Sequence, residues 1–281
     1  MTTEKKDRWV SILITTIFAI ITLIALFPII SLLIASLRPA SDLMREGLSL
    51  FFNPAELTFS NYLSIFSDNG QQYWRWYINS IAISSILIVL SLFFSSMVGY
   101  ALAMYNFKGR NVLFVLVLFI LMIPFEILML PLYKLMITLG LIDSYLAVML
   151  PLIVAPIAVF FFRQYCIGLP KELMESARID GCTEYGIFFK IMAPLMGPSF
   201  AAMAILQGLT SWNNFLWPLL VLRSSDMFTL PIGLATLLTP YGNNYELLFS
   251  GSVLTIVPII ILFLFFQRFF ISGLTVGGVK G

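Results

Sequence analysis

From Val10 to Ser36 the chain carries no charged residue, and five further long apolar runs follow. A helix rises 1.5 Å per residue, so about 20 such residues cross the ~30 Å hydrocarbon core of a bilayer. Lipid offers no partner to backbone N–H and C=O groups, which leaves the helix as the natural spanning form for runs of this length. The runs place spans at 10–36, 78–104, 112–138, 144–166, 195–222 and 252–270. Composition agrees: 60% of residues are apolar and only 11% charged, against roughly half and a quarter in a soluble domain. The mean hydropathy is +0.97. The first run exceeds the ~7–15 apolar residues of a cleaved signal and lacks its small-residue exit, so it is expected to stay as an anchor. The expected fold is an all-α integral membrane protein with six transmembrane helices in a single domain, residues 1–281.

Lysine and arginine set the direction, because positive flanks are held on the cytoplasmic side. With the N-terminus inside, Lys5, Lys6, Arg8, Lys108, Arg110, Arg163, Lys171, Arg178, Lys190, Arg268 and Lys280 lie inside, and Arg38, Arg45, Arg75, Lys134 and Arg223 outside. The excess favours N-in and C-in, and an even number of spans puts both ends on one side. Two longer polar segments remain, an outer loop over 37–77 and a cytoplasmic loop over 167–192. Within the outer loop, Trp74-Arg75-Trp76-Tyr77 has the composition of an interfacial aromatic belt. Cys166 and Cys182 fall on the inner side, where thiols stay reduced, so no disulfide is expected.

Several chemistries lack their residues. The chain has no His, which excludes a histidine metal site or proton relay, and a net charge of +2 gives no reason to expect nucleic acid. None of the lysines is followed by Ser or Thr, so the phosphate loop of an ATPase is missing. No convergent nucleophile, base or metal-ligand set marks an enzyme, and no catalytic residue is assigned. An ion-coupled secondary transporter would bury ionisable groups in its spans. Only Glu126 qualifies, and on a continuous third span it sits ~20 Å from Asn111, in the outer half.

The cytoplasmic loop is the most informative stretch. Leu169-Pro170-Lys171-Glu172-Leu173-Met174-Glu175-Ser176-Ala177-Arg178-Ile179-Asp180-Gly181 reads as a short helix opened by Pro170 and stopped by Gly181. Thr183 can cap a second helix with its hydroxyl. Residue chemistry alone leaves two roles open for it: an amphipathic helix resting on the membrane, or a surface for another protein, with small Ser176 and Ala177 beside Leu173 and Ile179.

The order Glu175-Ser176-Ala177, then Gly181, then Ile191 and Pro194, resembles the "EAA" loop of ABC importer permeases, with Ser176 in place of an Ala and Ala193 in place of a Leu. Asn61-Tyr62, Asn79-Ser80, Phe107-Lys108-Gly109-Arg110, Pro131-Leu132-Tyr133, Leu139-Gly140-Leu141, Arg178-Ile179-Asp180-Gly181 and Trp212-Asn213 extend the resemblance over nearly the whole chain. They match the carbohydrate-uptake permeases typified by the smaller membrane subunit of the maltose transporter. That resemblance implies a type I ABC importer permease fold in a prokaryotic cell membrane, with Lys171 to Asp180 as the coupling helix of a cytoplasmic ATPase. It further implies a second homologous permease, a dimer of ATPase subunits holding ATP and Mg, and an extracytoplasmic sugar-binding protein. This chain itself holds no cofactor.

On that basis Lys171, Glu172, Glu175, Ser176, Ala177, Arg178, Asp180, Gly181 and Pro194 are expected at the ATPase, Glu175 through charge-assisted contacts and Ala177 through close approach. The tail residues Gly277, Gly278 and Lys280 are a second contact by analogy, or simply a free end. Pro124, Pro131 and Pro218 mark breaks that expose backbone, and such breaks belong inside a protein. Glu126, Trp212, Asn213 and Asn214 are apt for a sugar path, since sugars stack on aromatic faces and bond to amides and carboxylates. Alternatively the two asparagines join helices and Glu126 reaches the outer interface. The substrate expected is an oligo- or disaccharide. A glycerol-phosphate or polyol permease is the alternative within the family, but a phosphate calls for cationic partners, and only Lys134 lies near the path.

Overall fold

The computed structural model describes residues 2–39, 54–67, 70–239 and 242–275. They are mostly helical, joined by turns, with one two-residue antiparallel ladder, β1 (Leu238–Thr239) with β2 (Gly242–Asn243), which pairs Leu238 with Asn243. In chain order the helices are α1 (Thr2–Ser36), α2 (Ser60–Ile65), α3 (Gln71–Met104), α4 (Arg110–Leu121), α5 (Phe125–Thr138) and α6 (Tyr145–Met149). Then come α7 (Pro156–Ile167), α8 (Glu172–Ile179), α9 (Glu184–Ile187), α10 (Ala193–Leu195), α11 (Gly197–Trp212), α12 (Leu216–Val221), α13 (Leu230–Thr236) and α14 (Tyr245–Thr275). Among the described residues four helices are long and apolar enough to cross a membrane, or up to six if each of two bent pairs counts as one span.

The bent pairs depart from straight spans. Expected span 112–138 is α4 followed by α5, turned by 102° at Met122–Pro124. Pro124 disfavours helical backbone in the residue before it and has no N–H to continue the ladder, so the chain turns there. The depth assigned to Glu126 on a continuous helix is therefore corrected: it stands in the first turn of a new helix, α5. Expected span 195–222 divides into α11 and α12, separated by Asn213–Phe215. The segment ahead of α11, Glu184–Leu195, meets it at 77°. A π-helical turn over Phe188–Met192 precedes α10, where Pro194 removes the N–H that would bond to the Lys190 carbonyl.

Two compact units divide the chain: one joins residues up to Trp74 to Leu234–Ile256, the other joins Arg75–Gly233 to the segment from Val257 onward. In the first unit, Asn61 is buried and ties the C-terminal end of α1, donating from Nδ2 to the carbonyls of Ser36 (2.9 Å) and Arg38 (2.8 Å). Its own carbonyl accepts from the Ser250 hydroxyl of α14 at 3.1 Å. Tyr73, fully buried, donates to the Gly251 carbonyl at 2.9 Å. The Asn61 bonds satisfy carbonyls at the end of α1, where the helix leaves its last oxygens without an internal partner.

The second unit uses the same device. Asn79 donates to the carbonyls of Asp226 (2.8 Å) and Phe228 (2.9 Å), and its Oδ1 accepts from the Tyr145 hydroxyl at 2.7 Å. The Ser80 hydroxyl accepts the Leu230 N–H at 2.7 Å, which caps α13. Trp76 is 5% exposed and donates from Nε1 to the Ser225 carbonyl at 2.9 Å, while Arg75 pairs with Asp226 at 2.8 Å. Trp76 is thus a core residue, which corrects its reading as part of an aromatic belt. Its ring lies against Gly233, where an added Cβ would stand 2.0 Å from it, so the indole is packed inside the chain.

The connection from α5 to α6 is pinned by Asp143. Its carboxylate accepts the N–H groups of Arg223 (2.9 Å) and Ser224 (3.0 Å) and the Ser224 hydroxyl. These bonds, the hydroxyl of Ser224 foremost, hold the carboxyl below its ordinary range. A depressed value means that the contribution is present above the ordinary carboxylate pKa and is lost as pH falls through the lowered one. Asp143→Asn should therefore melt below wild type at neutral pH, and the gap should close as pH drops below about 4; melting curves across pH check this.

Candidate functional site

Two polar sites emerge, both in the second unit. The first is built on α8. This helix runs from Glu172 to Ile179 with Asp180 as its C-cap, and the chain leaves it by the pair of bonds expected when a glycine takes the left-handed conformation. Gly181 has φ of +77°, its N–H bonds to the Arg178 carbonyl, and the Cys182 N–H bonds to the Ala177 carbonyl. Thr183 then opens α9, accepting the Gly186 N–H on its hydroxyl at 3.1 Å. The same exit appears at Gly140, which ends α5 with φ of +67°. Proline cannot reach positive φ. Gly181→Pro should therefore insert normally yet lose transport, read as uptake against membrane abundance, and normal uptake would refute a lever role for this loop.

The faces of α8 are unequal. Glu172, Glu175, Ser176 and Ile179 form an outward stripe at helical spacing, and Ile179 is 87% exposed. Lys171, Leu173, Asp180 and Gly181 are exposed as well, and so is Pro194 beyond the loop. Met174 and Ala177 face the other way, into a buried cluster with Tyr100, Met104, Phe162, Cys166 and Ile187. Ala177, expected to let a partner approach, instead lets α8 lie close on its own chain.

Arg178 is exposed but bonds to its own chain. Its guanidinium forms a forked pair with Glu184, Nε to Oε1 at 2.7 Å and Nη2 to Oε2 at 3.1 Å, and it lies over the Tyr105 ring at 5.8 Å. The Tyr105 hydroxyl donates to the same carboxylate at 2.5 Å. Burial, followed by the bond to Glu184, raises the Tyr105 phenol well above its ordinary value, so it stays protonated as the donor. Tyr100 stacks edge-on against Tyr105 and reaches the Met174 sulfur at 3.4 Å. Glu184 and Tyr105 thus fasten the loop to the C-terminal end of α3. Sequence reasoning missed both, since Tyr105 lies 79 positions from its partner.

The second site is a cavity of about 770 Å³ walled by α5, α11 and the break after α11. Glu126, Asn213 and Asn214 line it, as does Gln207, which was not foreseen. Asn213 spends its amide on the Leu209 carbonyl at 2.9 Å. Trp212 does not belong to this wall: it is buried edge-on against Tyr77 and borders a separate, mostly apolar groove of about 370 Å³. A helix turns 100° per residue, so residue 212 cannot share a face with 207, 210, 211 and 214. The tail residues Gly277, Gly278 and Lys280 lie outside the described residues. Among the described residues no group of three metal-ligating side chains occurs.

Comparison with known proteins fits this architecture. Residues 92–276 match the family of binding-protein-dependent transport system inner membrane components. The arabinooligosaccharides transport system permease protein AraQ of Halalkalibacterium halodurans is 71% identical over 278 residues, covering 99% of each chain. AraQ of Bacillus subtilis is 62% identical over 270 residues, 96% of each. Among solved structures, a bacterial ABC transporter involved in the import of the acidic polysaccharide alginate contains a chain of the same fold, with a TM-score of 0.83 at 24% identity, covering 94% of this chain and 98% of that one. This chain belongs to the binding-protein-dependent inner membrane components, the multi-pass membrane permeases of ABC importers.

Proposed function

We propose that the protein is one permease of an importer for arabino-oligosaccharides, working with a second permease, a pair of cytoplasmic ATPase subunits that hold ATP and Mg, and an external sugar-binding protein. The single observation that carries this is the 71% identity to an arabinooligosaccharide permease across 99% of both chains. In this reading the two bent pairs count as spans, giving six, with both ends in the cytoplasm. That orientation sets the outward stripe of α8 against the ATPase. Glu172 and Glu175 meet basic groups there, Ile179 enters an apolar recess, and Arg178 with Gly181 holds the lever in shape. Closure of the ATPase pair then moves the helices attached to the loop.

The test is to tag the chain, extract it in mild detergent and identify its companions. Recovery of a second permease and an ATPase whose hydrolysis rises with arabinotriose-loaded binding protein is the expected result. Transport by the lone chain on an ion gradient in liposomes would overturn it.

A further inference from the structure

Gln207 is 8% exposed, and its Nε2 finds no hydrogen-bond partner among the described residues. Burying an amide donor without a partner is costly, and native proteins keep few such groups. This one lines the cavity of about 770 Å³. It begins a polar stripe on α11, where Gln207, Thr210 and Ser211 follow at i, i+3 and i+4, and Asn214, in the break just after the helix, lines the same cavity. Their remaining capacity is uneven. The Thr210 hydroxyl donates to the Leu206 carbonyl at 2.9 Å and the Ser211 hydroxyl to Ser84 at 3.0 Å. Thr210 can therefore still accept, while Gln207 still has N–H groups to give.

A donor and an acceptor one helical turn apart match a hydroxyl, which needs one of each. The rest of the lining is mostly aliphatic, with Phe125, Phe215 and the Glu126 carboxylate among it, so the polar groups that a sugar would meet are gathered on one side of the cavity. No residue lining the cavity is Lys or Arg, which argues against a phosphate. We propose that this cavity is part of the sugar path, with Gln207 Nε2 donating to a sugar hydroxyl in transit and Thr210 accepting from it. The inference rests on the sugar-importer reading above and adds the residues that touch the cargo.

The test reconstitutes the whole importer with Gln207→Leu, Gln207→Asn or Thr210→Val and measures labelled arabinotriose uptake, ATP hydrolysis stimulated by loaded binding protein, and thermal melting. Replacing an orphan donor with a similar apolar shape should leave melting unchanged or raised. With Gln207→Leu, uptake should fall about ten-fold while stimulated hydrolysis persists, so more ATP is spent per sugar. Gln207→Asn should recover part of the loss, and Thr210→Val should lose several-fold. Wild-type uptake by Gln207→Leu overturns the inference. Lower melting together with loss of the second permease also overturns it, since Gln207 would then be joining helices. If the wild-type importer moves no arabinotriose, the sugar reading fails and this inference with it.

Discussion

Glu184→Ala should leave ATP hydrolysis by the assembled importer within about two-fold of wild type and cut sugar moved per ATP by about ten-fold. The carboxylate accepts both the Arg178 fork and the Tyr105 hydroxyl, so its removal breaks the polar tie between the loop and the end of α3 at once and leaves α8 held by its apolar packing alone. Stability should suffer much less. The Arg178 and Glu184 side chains are 40% and 48% exposed, and solvent-exposed pairs add little to stability because water screens them. Uncoupling without unfolding is the distinguishing outcome, read from uptake, hydrolysis and melting on the same preparation. Glu184→Gln keeps an acceptor for Tyr105 and should lie between the two. Transport per ATP equal to wild type in Glu184→Ala would remove the latch from the mechanism.

Gly99→Leu should prevent a folded, monodisperse protein from forming, and Gly99→Ala should lower stability by about 1–3 kcal/mol, the usual cost of overpacking. Gly99 is buried where α3 crosses α7. A Cβ there would stand 2.7 Å from the Phe162 Cβ, 2.9 Å from the Arg163 nitrogen and 2.9 Å from the Val159 oxygen. Two of these three atoms are backbone, so no rotamer change relieves the contact and the helices must separate. Separation would open the cluster of Tyr100, Ala103, Ala158, Phe162 and Cys166 that also seats α8. Within lipid, such close approach is a main source of helix association, because burying apolar side chains there gives no advantage over leaving them in hydrocarbon. Size-exclusion profiles and melting of the detergent-solubilised chain decide it. A Leu variant that runs and melts as wild type does would show that α3 and α7 can part without loss.

What could be read from residues alone follows the range of the signal. Long apolar runs locate membrane segments, because the bilayer imposes one length and one polarity on each. Glycine and threonine at a helix boundary act over four or five residues, which is why the limits of α8 and the roles of Gly181 and Thr183 were legible. Pro124 marked the break at 122–124 for the same local reason, although not its angle, whereas Pro131 and Pro218, also expected to mark breaks, lie inside α5 and α12.

The direction in which residues face was not legible. Lipid and protein interior are both apolar here, so hydropathy carries no contrast between a buried face and an exposed one. Trp76 is read as interfacial for that reason, yet it is buried; Ala177, expected at a partner from the loop motif, packs within the chain because the motif does not say which face of α8 is covered. Trp212 was grouped with Asn213 and Asn214 by adjacency, while rotation along α11 puts it on another wall and brings Gln207 to theirs. The sequence by itself determined that this is a membrane permease with a capped loop helix, because spans and caps are local. Only the tertiary structure decided that Glu184 and Tyr105 hold that loop and that Gln207 lines the cavity, because those pairings depend on which helix lies beside which.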